Sequence, residues 1–315
     1  MSWEKAGTRR KGERMSIFPT TILLATDGSG DAKLASESAA TLAESTGSGL
    51  HVVCVGAGLP LYELPDYPAR FEEAVEAQRR DARRVLDEQV GAIEGAGTTV
   101  EEAHLGEDER PDKAIVELAE DVGAGLVVVG SRGQGGLKRA LLGSVSASVV
   151  RHAHCPVLVV RDRPLADATG ILLATDGSED ARRAADAALE LAQDFDWELH
   201  VTYVEPMPER HGGLVRSSVD LPPEVVASGE REAGTKLRQE VERIEEGGGE
   251  VAQAHARAGS PAAETVALAE ELGAGVVVVG TRGLGGVKRA LMGSVSEAVV
   301  GHAHCPVLVV RGGQE

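Results

Sequence analysis

"LVVVGSRGQGGLKRALLGSVSASVVRHAHCPVLVV" occupies residues 126–160, and "VVVVGTRGLGGVKRALMGSVSEAVVGHAHCPVLVV" occupies residues 276–310. Each passage reads as an apolar strand, a glycine-rich loop, a short helix and a second apolar strand. Its Val/Leu runs are continuous and do not alternate with polar residues, so both faces of these strands are expected to be covered. The similarity extends outward: residues 121–161 and 271–311 share 31 of 41 positions. "ILLATDGS" begins at Ile22 and again at Ile171. A period near 150 residues is too long for a solenoid and marks a duplicated domain. The boundaries read as a polar, disordered tail over 1–16, a first domain over 17–162, a linker over 163–167 and a second domain over 168–315.

Within each copy, strand and helix patterns alternate. In the first, Ile22–Ala25, "LHVVCV", Thr99–His104, "LVVVG" and "PVLVV" are the strands; helices are expected after Gly30, from about Phe71 to Ile93, over Pro111–Asp121 and over "SVSASVVRHA". Right-handed crossovers make this a doubly wound α/β sandwich with a five-stranded parallel sheet per copy, Rossmann-like in architecture. Such sheets take ligands beyond the carboxyl ends of their strands, where strand order reverses.

The composition restricts the partners. The chain has 315 residues, 42% hydrophobic and 26% charged, with a net charge of −18. No basic surface is available for nucleic acid. No apolar run reaches the roughly 20 residues of a membrane span. Arg9-Arg10 is followed by no apolar stretch, so no signal peptide is expected. Cys54, Cys155 and Cys305 are too few for a disulfide framework and read as buried thiols in a reducing, cytoplasmic setting.

The strand ends carry the chemistry. "TDGS" follows the first strand of each copy, with Asp27 and Asp176. After the fourth strand, Gly130 and Gly133 precede Gly143-Ser144 by a nine-residue spacer, and Gly280, Gly283 and Gly293-Ser294 repeat that spacing. The next helix presents unpaired N–H groups and a partial positive charge, while glycine lets an anion approach the backbone. Hydroxyls of Ser144, Ser146, Ser294 and Ser296 are further candidate donors. The pattern is a phosphate cradle, but not a P-loop, because G-x-x-x-x-G-K-[ST] is missing. Nor does G-x-G-x-x-G follow the first strand, where a dinucleotide fold carries it.

These residues resemble the universal stress proteins, over nearly the whole chain outside its first ~16 residues. "G-2x-G-9x-G-[ST]" is similar to the motif of that family's ATP-binding branch, and "ATDGS", "GAGLVVVG" and "HAHCPVLVVR" add to the likeness. The resemblance implies a tandem member with a fold of the adenine nucleotide alpha hydrolase type. It also implies ATP, with Mg or Mn, in each copy. It places Ala25, Thr26 and Asp27 at the adenosine end, with Asp27 near the ribose and a phosphate-bound metal. Val55 would meet the adenine, and Val129 and Gly130 would line base and ribose. Gly133, Gly143, Ser144, Val145 and Ser146 would hold phosphate. The second copy supplies Ala174, Thr175, Asp176, Val204, Val279, Gly280, Gly283, Gly293, Ser294, Val295 and Ser296. The resemblance further implies that "PVLVV" pairs with "PVLVV" to form an intrachain pseudo-dimer, with association of two chains an open possibility.

Other readings compete at several positions. Asp27 also suits a turn and helix start. Lys138-Arg139 and Lys288-Arg289 are either phosphate partners or solvated charges. His152, His154 and Cys155, with His302, His304 and Cys305, have metal-binding chemistry, but alternation along the chain splits them between faces and favours packing. No nucleophile–base constellation is evident, so chemistry beyond slow ATP hydrolysis is not expected. A nucleotide-independent scaffold is the main rival to an ATP-binding stress module. An adenylating ligase lacks its expected loop after strand one.

Overall fold

A computed structural model describes residues 18–56, 68–106, 110–134, 142–207, 223–283 and 292–311. The expected polar tail and both lysine–arginine pairs lie outside these residues. The first half runs β1 (Thr21–Ala25), α1 (Gly30–Thr46), β2 (Gly49–Val55), α2 (Pro68–Gly95), β3 (Glu102–Gly106), α3 (Pro111–Asp121), β4 (Ala124–Gly130), α4 (Ser144–His152) and β5 (Val157–Val160). The second half repeats the order with β6 (Gly170–Ala174), α5 (Glu179–Phe195), β7 (Glu198–Pro206), α6 (Pro223–Glu246), β8 (Gln253–Gly259), α7 (Pro261–Leu272), β9 (Val276–Gly280), α8 (Ser294–His302) and β10 (Val307–Val310).

All ten strands form one sheet, in the order β3-β2-β1-β4-β5-β10-β9-β6-β7-β8. Pairing is parallel within each half. The halves meet where β10 runs antiparallel to β5, with Leu308 opposite Leu158. Two strands that would each expose a row of backbone groups therefore satisfy one another.

Successive residues face opposite layers, which explains the continuous apolar runs. On β1, Ile22 and Leu24 join a core containing Leu42 and Leu86 from the α1/α2 side. Leu23 and Ala25 join Ile115 and Val149 from the α3/α4 side. The segment between the halves is packed as well: Leu165, in a single 3-10 turn over Leu165–Asp167, is 1% exposed. Its N–H donates to Ser38 Oγ at 2.9 Å. Helix α3 has the bounds its proline and periodicity predict. β3 begins later than expected, at Glu102, where parallel pairing with His51 starts.

Two arginines reach reciprocally between the halves. Arg161, 7% exposed, donates to the Gly301 and Ala303 carbonyls at 2.7 and 3.2 Å, at the end of α8. Arg311 donates to the Val150 and Arg151 carbonyls at 3.1 and 2.6 Å, at the end of α4. Each satisfies carbonyls that a helix terminus leaves without intrahelical partners.

Candidate functional site

Strand order reverses between β1 and β4 in the first half and between β6 and β9 in the second. The duplicated loops emerge at these two points. After β1, Gly28 takes the left-handed conformation at φ +76°, which favours glycine, and Gly177 repeats it at +76°. Ser29 caps α1 by accepting from Ala32 N–H at 3.3 Å and donates to the Arg132 carbonyl at 3.1 Å. Ser178 makes the equivalent bonds to Ala181 and Arg282.

Asp27 ties the two loops together. One carboxylate oxygen accepts from Ser29 N–H at 2.9 Å and the other from Gln134 N–H at 2.8 Å. The turn-organising reading is therefore realised. A carboxylate offers about four lone-pair sites, so these bonds leave acceptor capacity for a hydroxyl or cation. Thr26, 6% exposed, accepts from Gly28 N–H at 3.2 Å and stabilises the turn from within. The buried Cys54 thiol is pushed up to about 11, chiefly by desolvation and further by the Asp27 charge.

Positive φ is not what the motif glycines supply. Gly130, Gly133 and Gly143 all avoid positive φ, as do their repeats. Space presses on two of them, on Gly130 against backbone and on Gly133 against the end of one side chain. A Cβ on Gly130 would sit 2.8 Å from Ala32 N in the first turn of α1, and one on Gly280 would sit 2.7 Å from the Asp180 carbonyl carbon. A Cβ on Gly133 would lie 2.4 Å from Asp27 Oδ2, and one on Gly283 would lie 2.3 Å from Asp176 Oδ2. Gly143 and Gly293 have more room: their Cβ atoms would meet a single carbonyl oxygen, Ser131 or Thr281, at 3.2 Å.

Gly143 and Gly293 instead occupy the N-cap positions of α4 and α8, with no capping side chain. Among the described residues, no bond engages the N–H groups of Ser144, Val145 and Ser146, or those of Ser294, Val295 and Ser296. Ser146 Oγ donates to the Gly130 carbonyl at 2.7 Å and Ser296 Oγ to the Gly280 carbonyl at 2.6 Å. These two hydroxyl protons close the loop against its strand and are not available to the cradle. Ser144 and Ser294 are exposed.

Of the residues expected to line base and ribose, Ala25, Val129 and Val279 are buried, whereas Ala174, Val55 and Val204 are half-buried. β2 ends at Val55 as expected, but β7 runs two residues beyond Val204 to Pro206. The longer β8 supplies those extra pairings, with Pro206 opposite Gly259.

A charged group beneath the loop was not evident from the motifs. Asp31 Oδ2 accepts from Ser131 Oγ at 2.7 Å, Arg132 N at 3.1 Å and Arg132 Nε at 3.2 Å. Asp180, 5% exposed, repeats this with Thr281 Oγ1 at 2.7 Å and with Arg282 N and Nε at 3.1 Å each. Their repetition at equivalent positions was the only available signal. The HAHC segments divide as alternation predicts: Cys155 and Cys305 are buried, while His152, His154, His302 and His304 face solvent. Packing therefore describes the thiols, and the histidines are surface groups.

Residues 19–161 and 169–311 each match the model of the Universal stress protein family. The chain belongs to the universal stress protein family. Universal stress protein Rv2623 of Mycobacterium tuberculosis is 31% identical over 244 residues, covering 74% of this chain and 77% of its own length. Universal stress protein MJ0531 of Methanocaldococcus jannaschii is 36% identical over 141 residues, covering 45% of this chain and 81% of its own length. The crystal structure of a universal stress protein from Archaeoglobus fulgidus superposes with a TM-score of 0.64 at 25% identity, covering 92% of this chain and 98% of that one. No helix among the described residues of this universal stress protein is long and apolar enough to cross a membrane.

Proposed function

We propose that this universal stress protein is a cytoplasmic ATP-binding module with one nucleotide site in each half, acting through occupancy, with hydrolysis slow at most. The observation that carries this reading is the uncapped first turn of α4, repeated in α8. In both helices, glycine stands at the N-cap beside a strand-order reversal, and the following N–H groups lack partners among the described residues. An N-terminus of this kind favours a phosphate. Asp27 and Asp176 retain acceptor capacity for ribose or for a Mg or Mn ion carried by the phosphates.

Glycine spacing alone does not separate this function from that of a scaffold, because backbone packing accounts for Gly130 and Gly280 without a ligand. The helix N-termini, whose N–H groups have no partner among the described residues, favour the nucleotide. Native mass spectrometry of the full chain with Mg-ATP tests the proposal. Two nucleotides per chain are expected, falling to one in Gly143→Val with its circular dichroism preserved. No binding at millimolar Mg-ATP would favour the scaffold.

A further inference from the structure

The outer edge of each half carries a pair of histidines unrelated to the cradle. His51 on β2 and His104 on the edge strand β3 place Nδ1 and Nε2 3.1 Å apart. Their rings lie 5.3 Å apart, inclined by only 20°. Glu102 on β3 sits opposite His51 in register, with Oε2 3.8 Å from that same His104 nitrogen. One ligand atom from each of the three falls within 4.8 Å of the others. Two imidazole nitrogens bound to one tetrahedral zinc ion at about 2.0–2.1 Å would lie about 3.3 Å apart. The observed spacing needs little adjustment.

We propose that His51, His104 and Glu102 bind a first-row divalent transition cation of the zinc class, with water completing the coordination. Imidazole nitrogen with one carboxylate oxygen suits such borderline cations. The other His51 nitrogen, Nε2, faces the Glu101 carboxylate at 3.6 Å. A carboxylate in that place orients a ligating imidazole and raises its basicity.

The second half supports this assignment by an exchange of strands. His200 and His255 keep the 3.1 Å nitrogen separation, and a carboxylate again stands 3.6 Å from the other nitrogen of the β-strand-two histidine. There it comes from Glu198, at the position equivalent to Gly49. In the first half Glu101 reaches over Gly49, where a Cβ would sit 2.3 Å from its Oε2. The carboxylate's place is kept although its residue changes. The third ligand differs: Gln253 stands opposite His200 where Glu102 stands opposite His51. An amide is a weaker ligand for the cation, so the first site is the tighter one.

The test is a zinc titration of the nucleotide-free full chain in competition with a chromophoric chelator. One zinc per chain is expected at micromolar concentration or tighter. Glu102→Gln, at a 63% exposed side chain that folding does not require, should weaken binding roughly 10–100-fold. His51→Asn with His104→Asn should abolish it, and Gln253→Glu should tighten the second site at least about tenfold. Parent-like binding in both the Glu102→Gln and the double-histidine variants would assign the ion to the surface histidines and overturn the site. Failure of the parent to bind zinc would overturn it equally.

Discussion

Gly130→Ala separates the glycines that the fold requires from those that the ligand requires. The new methyl would stand 2.8 Å from both Ala32 N and the Asp31 carbonyl carbon, and 3.0 Å from the Asp31 oxygen. Comfortable contacts lie near 3.5–4.0 Å, so the overlap is about 0.7 Å. Its partners are backbone atoms and cannot rotate away, so the first turn of α1 must move. That turn carries Asp31, whose bonds to Ser131 and Arg132 hold the glycine loop. Overpacking of this kind costs about 1–3 kcal/mol, and loosening one charge-assisted hydrogen bond adds about 1.5 kcal/mol. The smaller unfolded-state entropy of alanine returns about 0.4–1 kcal/mol. The net expectation is about 3 kcal/mol, which lowers the thermal midpoint of a 315-residue chain by about 5 °C. Thermal and urea unfolding followed by circular dichroism would measure this effect. Gly143→Ala is the control, because its tightest contact is one carbonyl oxygen at 3.2 Å, which would have to yield only a few tenths of an ångström. It should cost less than about 1 kcal/mol. A Gly130→Ala protein within about 0.5 kcal/mol of the parent would refute the packing argument, as would a costlier Gly143→Ala.

Arg161→Met should destabilise by about 1–3 kcal/mol, because the Gly301 and Ala303 carbonyls lose a buried donor. A urea midpoint equal to the parent's would show that water or a neighbour replaces the guanidinium. The thiols predict a pH dependence. Burial pushes Cys54 up to about 11 and Cys155 up to about 12, from an ordinary value of 9.0. Above about pH 9 the unfolded chain loses these protons while the folded chain keeps them, so stability falls as pH rises towards 11. Each thiol contributes about 1 kcal/mol per pH unit across that window. Urea midpoints at about pH 8 and 10 would check this, and a flat profile would contradict it. Thiol reagents at about pH 8 should label the native chain only as fast as it opens.

Much of this protein is determined locally. Pro111 at a helix start, valine runs bounded by glycine, and a unit repeated near 150 residues predict the alternation of elements. They also place the candidate site at the carboxyl edge of the sheet. Continuous apolar runs sufficed because a strand buried on both faces needs apolar residues at every position. Tertiary structure decided what depends on residues about 50 to 160 positions apart. Asp31 with Ser131, Arg161 with Ala303 and His51 with His104 show no local periodicity, since neither partner is chosen by its neighbours in sequence. The glycines show the difference most clearly. Their spacing marked the loop, but the reason Gly130 must be glycine lies in a helix turn brought against it by folding. A sequence records that a side chain is missing; only the packed chain shows which atoms occupy its place.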